Sequence, residues 1–181
     1  MSGDSARIGA AEAAAELFRE LGAGCALVGD LAMRAWLGED VPAAGTVDVL
    51  GMVQTERSRQ ISKIAPGHGF VIDAAEAERA EELDLMPMAW TAGERPVRVH
   101  VLFASNALYG RMVRDAVPVA TRSAPLKVIG AEDLALLMLV SDAPEAPSTI
   151  AKLRLRLGEA FDLGGLNRKL VSIGLGGKVL T

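Results

Sequence analysis

The spacing of apolar residues predicts a helix near the start of the chain. In ARIGAAEAAAELFRELG, apolar side chains recur every three or four positions and share one helical face: Ile8, Ala11, Ala14, Ala15, Phe18 and Leu21. Asp4 or Ser5 is suited to cap its first turn, and Gly22 to end it. The apolar stretch CALV predicts a short buried strand, which Gly29 and Asp30 turn into a second helix, LAMRAWL. We expect Asp30 to cap that helix.

Alternation of apolar and polar residues predicts the strands of a sheet. In TVDVLGMV, Thr46, Asp48 and Leu50 lie on one face and the residues between them on the other. VRVHVLFA, which contains His100, alternates in the same way and forms a hairpin with LMPMAW across the turn TAGERP. Pro87 indicates that the first hairpin strand is short or lies at an edge, because proline lacks an N–H. We expect a mixed, twisted sheet of about five strands, at 25–28, 46–53, 69–73, 85–91 and 97–103.

Three stretches near the C-terminus have helical spacing: GAEDLALLMLV, APSTIAKLRLRLGEAF and LGGLNRKLVSIG. Prolines in DAPEAPS separate the first two helices. The sequence therefore predicts an α/β (α+β) fold with a core over residues 1–125 and a helical portion over residues 126–181. We expect the two parts to pack as a single compact unit, because a chain of this length suits one domain.

Composition narrows the classes of function. Hydrophobic residues make up 50% of the 181 positions and charged residues 23%, which is typical of a globular protein. The net charge of -4 gives no strong nucleic-acid footprint, because such surfaces need clustered Lys and Arg. MSGDSARIGA lacks an apolar signal core, and no apolar run approaches the ~20 residues of a membrane span. We therefore expect a cytoplasmic protein that does not enter a membrane.

Several common chemical sites lack the residues they need. The chain has no GxxxxGK(S/T) phosphate loop followed by a helix and no GxSxG nucleophile motif. Its two histidines, His68 and His100, and its single cysteine, Cys25, are too few for a closed zinc site. Cys25 lies in an apolar stretch, which favours a buried thiol over a reactive one.

The segment LVGDLAMRAWLGEDVPAAGTVDVLGMV resembles the nucleotidyltransferase superfamily, particularly minimal bacterial enzymes related to abortive-infection toxins. That family pattern is a strand, a Gly-Gly or Gly-Ser turn, a helix, a loop often reading Arg-x-Thr, a strand with Asp-x-Asp, and a third Asp on a later strand. Here LVGD, AGT, TVDVL and VRVHVLFA stand at the corresponding places, and VIGAEDLALLML resembles a later helix start. The likeness extends from about Leu17 to Leu170 and implies the family fold and kinship with toxin–antitoxin proteins.

In that family the three carboxylates hold two magnesium ions, which position and neutralise a nucleoside triphosphate. The resemblance places Gly29, Asp30 and Thr46 at the nucleotide. It places Asp48 at the first carboxylate, but Leu50 at the second and His100 at the third. Asp30 adds a negative charge where phosphate would approach.

Further positions depart from the family pattern. Ala44 stands at the loop arginine, and Met138 at a position that is often lysine. PSTI, residues 147–150, replaces an Arg-x-x-Asp-like segment. The polar residues that the family uses at its active site are missing at several positions, while the apolar core positions of the pattern are present. The resemblance therefore implies the family fold with a degenerate active site.

Three hypotheses follow. The first is a nucleotidyltransferase-fold protein without catalytic activity and without a cofactor, which acts as a binding or interaction module. The second is a divergent nucleotidyltransferase that uses Mg²⁺ and moves a nucleotide from a nucleoside triphosphate to a small molecule, RNA or protein. In that case Asp48, with His100 as a weaker ligand, needs another acid, and Asp73, Glu76 and Asp84 are the candidates. The third is an unrelated α/β domain.

A partner surface is expected on the C-terminal helices. Leu153, Leu157 and Phe161 recur at helical spacing, and the high apolar content leaves room for a homodimer or a protein partner. The alternative is that this stripe packs on the domain's own sheet. The isolated cations Arg34, Arg98 and Lys127 are candidate anion contacts, although their spacing does not bring them together.

Overall fold

The computed structural model describes residues 3–38, 45–54, 57–119 and 126–180. The helices in these segments are α1 Gly3–Glu20, α2 Gly29–Leu37, α3 Ser58–Ile64, α4 Ala74–Leu83, α5 Ala107–Arg114, α6 Ala131–Val140, α7 Ala146–Leu157 and α8 Leu163–Ser172. The strands are β1 Cys25–Val28, β2 Thr46–Gly51, β3 Phe70–Val71, β4 Leu85–Trp90, β5 Val97–Phe103, β6 Val117–Val119 and β7 Leu126–Val128. None of the helices in these segments is long and apolar enough to cross a bilayer.

The strands form one mixed sheet in the order β3-β4-β5-β2-β1-β7-β6. At its centre β2 and β5 run parallel, with Asp48 directly opposite His100, as the strand prediction requires. The neighbours β1 and β4 run antiparallel to β2 and β5 respectively. The predicted mixed α/β fold is confirmed, and its central strand pair brings together two of the predicted site residues.

The sheet is longer than predicted because two short strands extend it. β7 pairs with β1, and β6 pairs with β7, so the segment after residue 125 begins with a strand of the sheet. Each of these strands has only three residues, too few to show a clear alternation. In β4 only Ala89 and Trp90 pair with β3. Pro87 lies outside this short ladder, so its missing N–H removes no hydrogen bond between β4 and β3.

Helix α1 covers one face of the sheet, and its buried side differs slightly from the predicted one. Ala11, Ala14 and Phe18 are buried as expected, but Ile8 is 39% exposed, and the buried side also includes Arg7, Ala10 and Leu17, which were not predicted. The helix already begins at Gly3, so the predicted caps at residues 4 and 5 lie inside its first turn.

Phe18 packs directly on the sheet. A β-carbon at Gly51 would overlap the Phe18 ring, so this strand position must be glycine for the helix to lie this close. Gly22, with φ of 66°, follows the helix end at the position the sequence indicated.

The predicted cap of α2 is wrong. The helix begins at Gly29 with Val28 at its N-cap, and no side chain caps it there. Asp30 lies in the first helical turn, where a carboxylate is still favourable because it faces the positive end of the helix dipole. The shift arises because Gly29 adopts φ of 58°, which lets the chain turn one residue earlier than the sequence pattern indicates.

The C-terminal helices pack against each other and against α2. Lys169 of α8 donates to the buried Asp133 of α6 at 2.5 Å, and this ion pair joins the two helices. Leu153 and Phe161 are 0% and 6% exposed, so the stripe expected to meet a partner packs in the chain's own core instead. Leu157 packs against the same core.

Candidate functional site

The site is built on the central strand pair. Asp48 of β2 and His100 of β5 lie opposite each other, and His100 Nδ1 is 3.0 Å from Asp48 Oδ1. Both side chains are partly open to solvent, with 28% of His100 and 25% of Asp48 exposed. The first and third carboxylate positions implied by the resemblance therefore form a direct carboxylate–imidazole contact.

The turn before α2 lies against the same carboxylate. In β1, Val28 pairs with Asp48, so Gly29 follows at the edge of the site. A β-carbon at Gly29 would lie 2.5 Å from Asp48 Oδ2, and its φ of 58° also favours glycine. The structure thus brings together the turn and the first carboxylate, in the arrangement that the sequence pattern predicted.

Arg7 is a site residue that the sequence analysis missed. Its side chain is only 5% exposed, and its Nη2 donates to the carbonyl oxygen of Thr46 at 3.1 Å. Its positive charge also acts on Asp48. A signal was present, because Arg7 is three residues before the buried Ala10 and therefore lies on the apolar face of α1.

The electrostatic balance at Asp48 is set first by burial. Desolvation raises the pKa of Asp48 above its usual value because the charged form loses contact with water. The hydrogen bond and charge of His100 oppose that rise, and so does the charge of Arg7, whereas the negative charge of Asp30 adds to it. Asp30 is therefore close enough to act on Asp48, and the repulsion of a phosphate by Asp30 stays a prediction.

The second carboxylate position is closed to solvent. Leu50 is 2% exposed and belongs to the hydrophobic core, although it shares the strand face of Asp48. An ion on this face would find no oxygen ligand from the side chain at position 50, because a leucine side chain is a hydrocarbon. The loop position Ala44 lies outside the described residues.

The alternative acids do not join the site. Asp73 caps α4, since its Oδ1 accepts from the backbone N–H groups of Ala75 and Glu76. Asp84 ends α4 beside Phe103, whose N–H binds its carbonyl oxygen, and Phe103 is the last residue of β5, three positions after His100. Across the four described segments, no three His, Cys, Asp or Glu side chains cluster as metal ligands.

These donors do not fit a pair of magnesium ions. Magnesium requires near-octahedral coordination by oxygen, and two-metal sites share several carboxylates. At the three carboxylate positions implied by the resemblance, the described residues supply one carboxylate, Asp48, one of whose oxygens already contacts an imidazole.

The three candidate anion contacts, Arg34, Arg98 and Lys127, lie in different parts of the fold. Arg98 lines a cavity of about 350 Å³ together with Asp73, Glu76 and Pro87. Lys127 lines a different cavity of about 180 Å³. Arg34 lies in the last turn of α2. These three side chains do not form a joint anion site.

The smaller cavity includes Cys25, whose pKa burial raises to about 12, with the charge of Lys127 opposing the rise. The thiol is therefore protonated at neutral pH, which agrees with the unreactive cysteine expected from the sequence.

Comparison with family sequence models gives no match, and comparison with curated protein sequences gives none either. Among solved structures, the chain is similar to an antigenic nucleotidyltransferase-like protein from Paracoccidioides brasiliensis. The TM-score is 0.54 at 12% identity, over 91% of this chain and 88% of that one. A second structure, ANT(2")-Ia in complex with adenylyl-2"-tobramycin, aligns with a TM-score of 0.49 at 15% identity, over 88% of this chain and 93% of that chain. The first of these shows a shared fold.

Proposed function

The chain has a nucleotidyltransferase-like fold, and from that premise we propose that it acts as a binding module without metal-dependent nucleotidyl transfer. Fold alone does not imply activity, because activity depends on the groups at the site. The proposal therefore depends on the side chains of the central strand pair.

The observation that carries the proposal is the contact between Asp48 and His100. An imidazole at the third carboxylate position replaces an anionic oxygen ligand and engages the one carboxylate that is left, at 3.0 Å. Imidazole is a poor ligand for magnesium, which prefers oxygen. Without the ion, the charge that develops on a triphosphate during transfer is not neutralised.

Two further features support the same conclusion. Leu50 is packed in the core, so a small rotation of β2 does not bring an oxygen ligand to the second carboxylate position. Asp30 places a second negative charge close enough to Asp48 to raise its pKa, and like charges at this turn oppose an incoming phosphate.

The first test measures ligand binding. Purified protein is heated with and without a nucleoside triphosphate and Mg²⁺, because a ligand that binds only the folded state raises the melting temperature. We expect no shift in the wild type. A shift that requires Mg²⁺ and is absent in Asp48→Ala would contradict the proposal and support the divergent transferase.

The second test measures turnover. The protein is incubated with nucleoside triphosphates labelled at the α-phosphate, with Mg²⁺ or Mn²⁺, and with RNA, protein and small hydroxyl compounds as acceptors. We expect neither pyrophosphate release nor transfer of label. Release in the wild type that disappears in Asp48→Ala but persists in Glu78→Gln, an exposed acid on α4, would overturn the proposal.

A further inference from the structure

We infer that Asp48 and His100 form a carboxylate–imidazole dyad that reacts, without a metal, with activated carbonyl compounds such as esters and anhydrides. The inference rests on the proposed absence of metal-dependent transfer, because an ion bound to Asp48 would compete for the oxygen that contacts His100. It assigns to these side chains an acyl chemistry that the fold does not imply.

The hydrogen bond links the proton on His100 to the charge of Asp48. When Asp48 is ionised it only accepts hydrogen bonds, so Nδ1 is then the donor to Asp48 Oδ1. In the neutral ring the lone pair then lies on Nε2. Asp48 is thus a positioning residue, and His100 Nε2 is the reactive atom.

The side chain of His100 is partly open to solvent. It is 28% exposed, and its contact with Asp48 is the one hydrogen bond or ion pair that its ring makes to the described residues. An imidazole held at one nitrogen, with no described protein partner at the other, is the arrangement that general bases and nucleophiles need.

Strand neighbours of His100, but neither His100 nor Asp48, line a cavity on the same face of the sheet. The cavity of about 350 Å³ is lined by Pro87, which is the cross-strand partner of His100, and by Arg98, two residues earlier on the same strand. Residues that pair across an antiparallel ladder, and residues two apart on one strand, share a face of the sheet. Ala89 and Val71 add apolar surface to this cavity.

The reaction is a transfer of an acyl group to the ring. The Nε2 lone pair forms a bond to the carbonyl carbon, and the bond from that carbon to the leaving oxygen breaks, so the electron pair departs with the leaving group. The Nδ1 proton stays in its hydrogen bond, where Asp48 stabilises the cationic ring. Water then attacks the acyl carbon, and one of its protons passes through solvent to the leaving group. The bond to Nε2 breaks with its electron pair returning to the ring, which releases the acid and restores the neutral imidazole.

Charge at the site favours a carbonyl over a phosphoryl compound. Asp48 and Asp30 place negative charge at the ring, and Asp73 and Glu76 add to it at the cavity, against the cations Arg7 and Arg98. This excess of acids opposes an anionic phosphate but has little effect on a neutral ester. An ester also needs no metal to neutralise it in the ground state.

The test uses diethyl pyrocarbonate, an activated carbonyl compound that acylates imidazole nitrogen, in buffer containing EDTA. The chain has two histidines, so mass spectrometry of digested protein follows each one separately. His68 is a matched internal control because it also contacts a carboxylate, Glu20, but through Nε2, at 2.7 Å. Nitrogen NMR of the two rings reports their tautomers directly.

We expect His100 to be acylated faster than His68 by at least about tenfold, and its ring to carry the proton on Nδ1. Asp48→Asn should lower the rate at His100 by at least about tenfold and change its tautomer population, while the rate at His68 is unchanged. The unchanged His68 rate shows that the variant is folded.

Equal rates at the two histidines, or a His100 ring protonated on Nε2, would overturn the inference. A slow His100 that is unaffected by Asp48→Asn would also overturn it, because it indicates a purely structural hydrogen bond. Since every reaction contains EDTA, such a failure is distinct from the result of the labelled-nucleotide assay with Mg²⁺, which tests the proposed function.

Discussion

At the scale of single residues, Asp48 shows how burial and a hydrogen bond act against each other. Desolvation raises its pKa, and the bond to His100 together with the charge of Arg7 limits the rise. Two cationic or proton-donating neighbours thus oppose the effect of burial on this carboxylate. The contribution of Arg7 is not visible in the sequence, because Arg7 is distant from Asp48 along the chain.

A consequence is a pH-dependent contribution of Asp48 to stability. Because its folded pKa lies above the unfolded one, the folded state binds the proton more tightly, and that stabilisation is present at low pH. It is lost as the pH rises through the raised pKa. Urea unfolding from pH 3 to 7 should show the stability of the wild type falling relative to Asp48→Asn across this window. A stability of the wild type that rises relative to Asp48→Asn over this range would contradict the prediction. So would an Asp48→Asn variant whose pH-dependent difference from the wild type equals that of the control variant Glu78→Gln.

Cys25 provides a second prediction at this scale. With a pKa of about 12, its thiolate is scarce at pH 8, whereas a thiol of ordinary pKa is substantially ionised there. Iodoacetamide should therefore alkylate the native protein slower than the urea-unfolded protein by on the order of a thousandfold. The chain has one cysteine, so the total thiol signal reports this site. Equal rates in the two states would show that the thiol is not buried.

At the scale of elements, the sequence predicted which segments are helices and strands better than it predicted where they turn. The strands at 25–28 and 97–103 match the structure at both ends, because clear alternation or a compact apolar run marks them. The buried face of α1 was predicted incorrectly, because an alanine-rich segment fits several neighbouring faces equally well. Ile8 was assigned to the buried side, where the structure has Arg7. The start of α2 was predicted too late in the chain, because the positive φ of Gly29 is a backbone conformation that the sequence does not specify.

The contact between α1 and β2 can be tested through Gly51. Gly51→Ala places a methyl group against the Phe18 ring, and overpacking of this kind costs about 1–3 kcal/mol. Gly45→Ala is the control, because a β-carbon there meets nothing within 4 Å, and it should stay within about 0.5 kcal/mol.

Phe18→Leu in the Gly51→Ala background should recover part of that loss, since a smaller side chain leaves room for the methyl group. Urea unfolding of the four combinations gives the coupling energy. Strict additivity of the two changes would show that Phe18 and Gly51 do not contact each other.

At the scale of the whole molecule, the chain has the sheet and helices of its fold, while Leu50 and His100 stand at two of the three carboxylate positions that the resemblance implies. The fold was predictable because burial of alternating and helical patterns depends on many residues at once. The pairing of Asp48 with His100 was predictable, since both lie on adjacent strands as expected. The burial of Arg7 beside Asp48 and the burial of Leu50 at the second carboxylate position were not predictable, because both depend on how α1 and the core pack around the sheet.

The proposal that this face of the sheet holds no divalent metal is tested most directly by adding Mn²⁺ to nitrogen-labelled protein and following the two histidine rings by NMR. A paramagnetic ion at Asp48 would broaden the His100 signals first. His68, with its own carboxylate partner Glu20, reports weak, non-specific binding. We predict that His100 broadens no more than His68 up to roughly 1 mM Mn²⁺. Selective loss of the His100 signals well below that concentration, abolished in Asp48→Asn, would contradict the proposal.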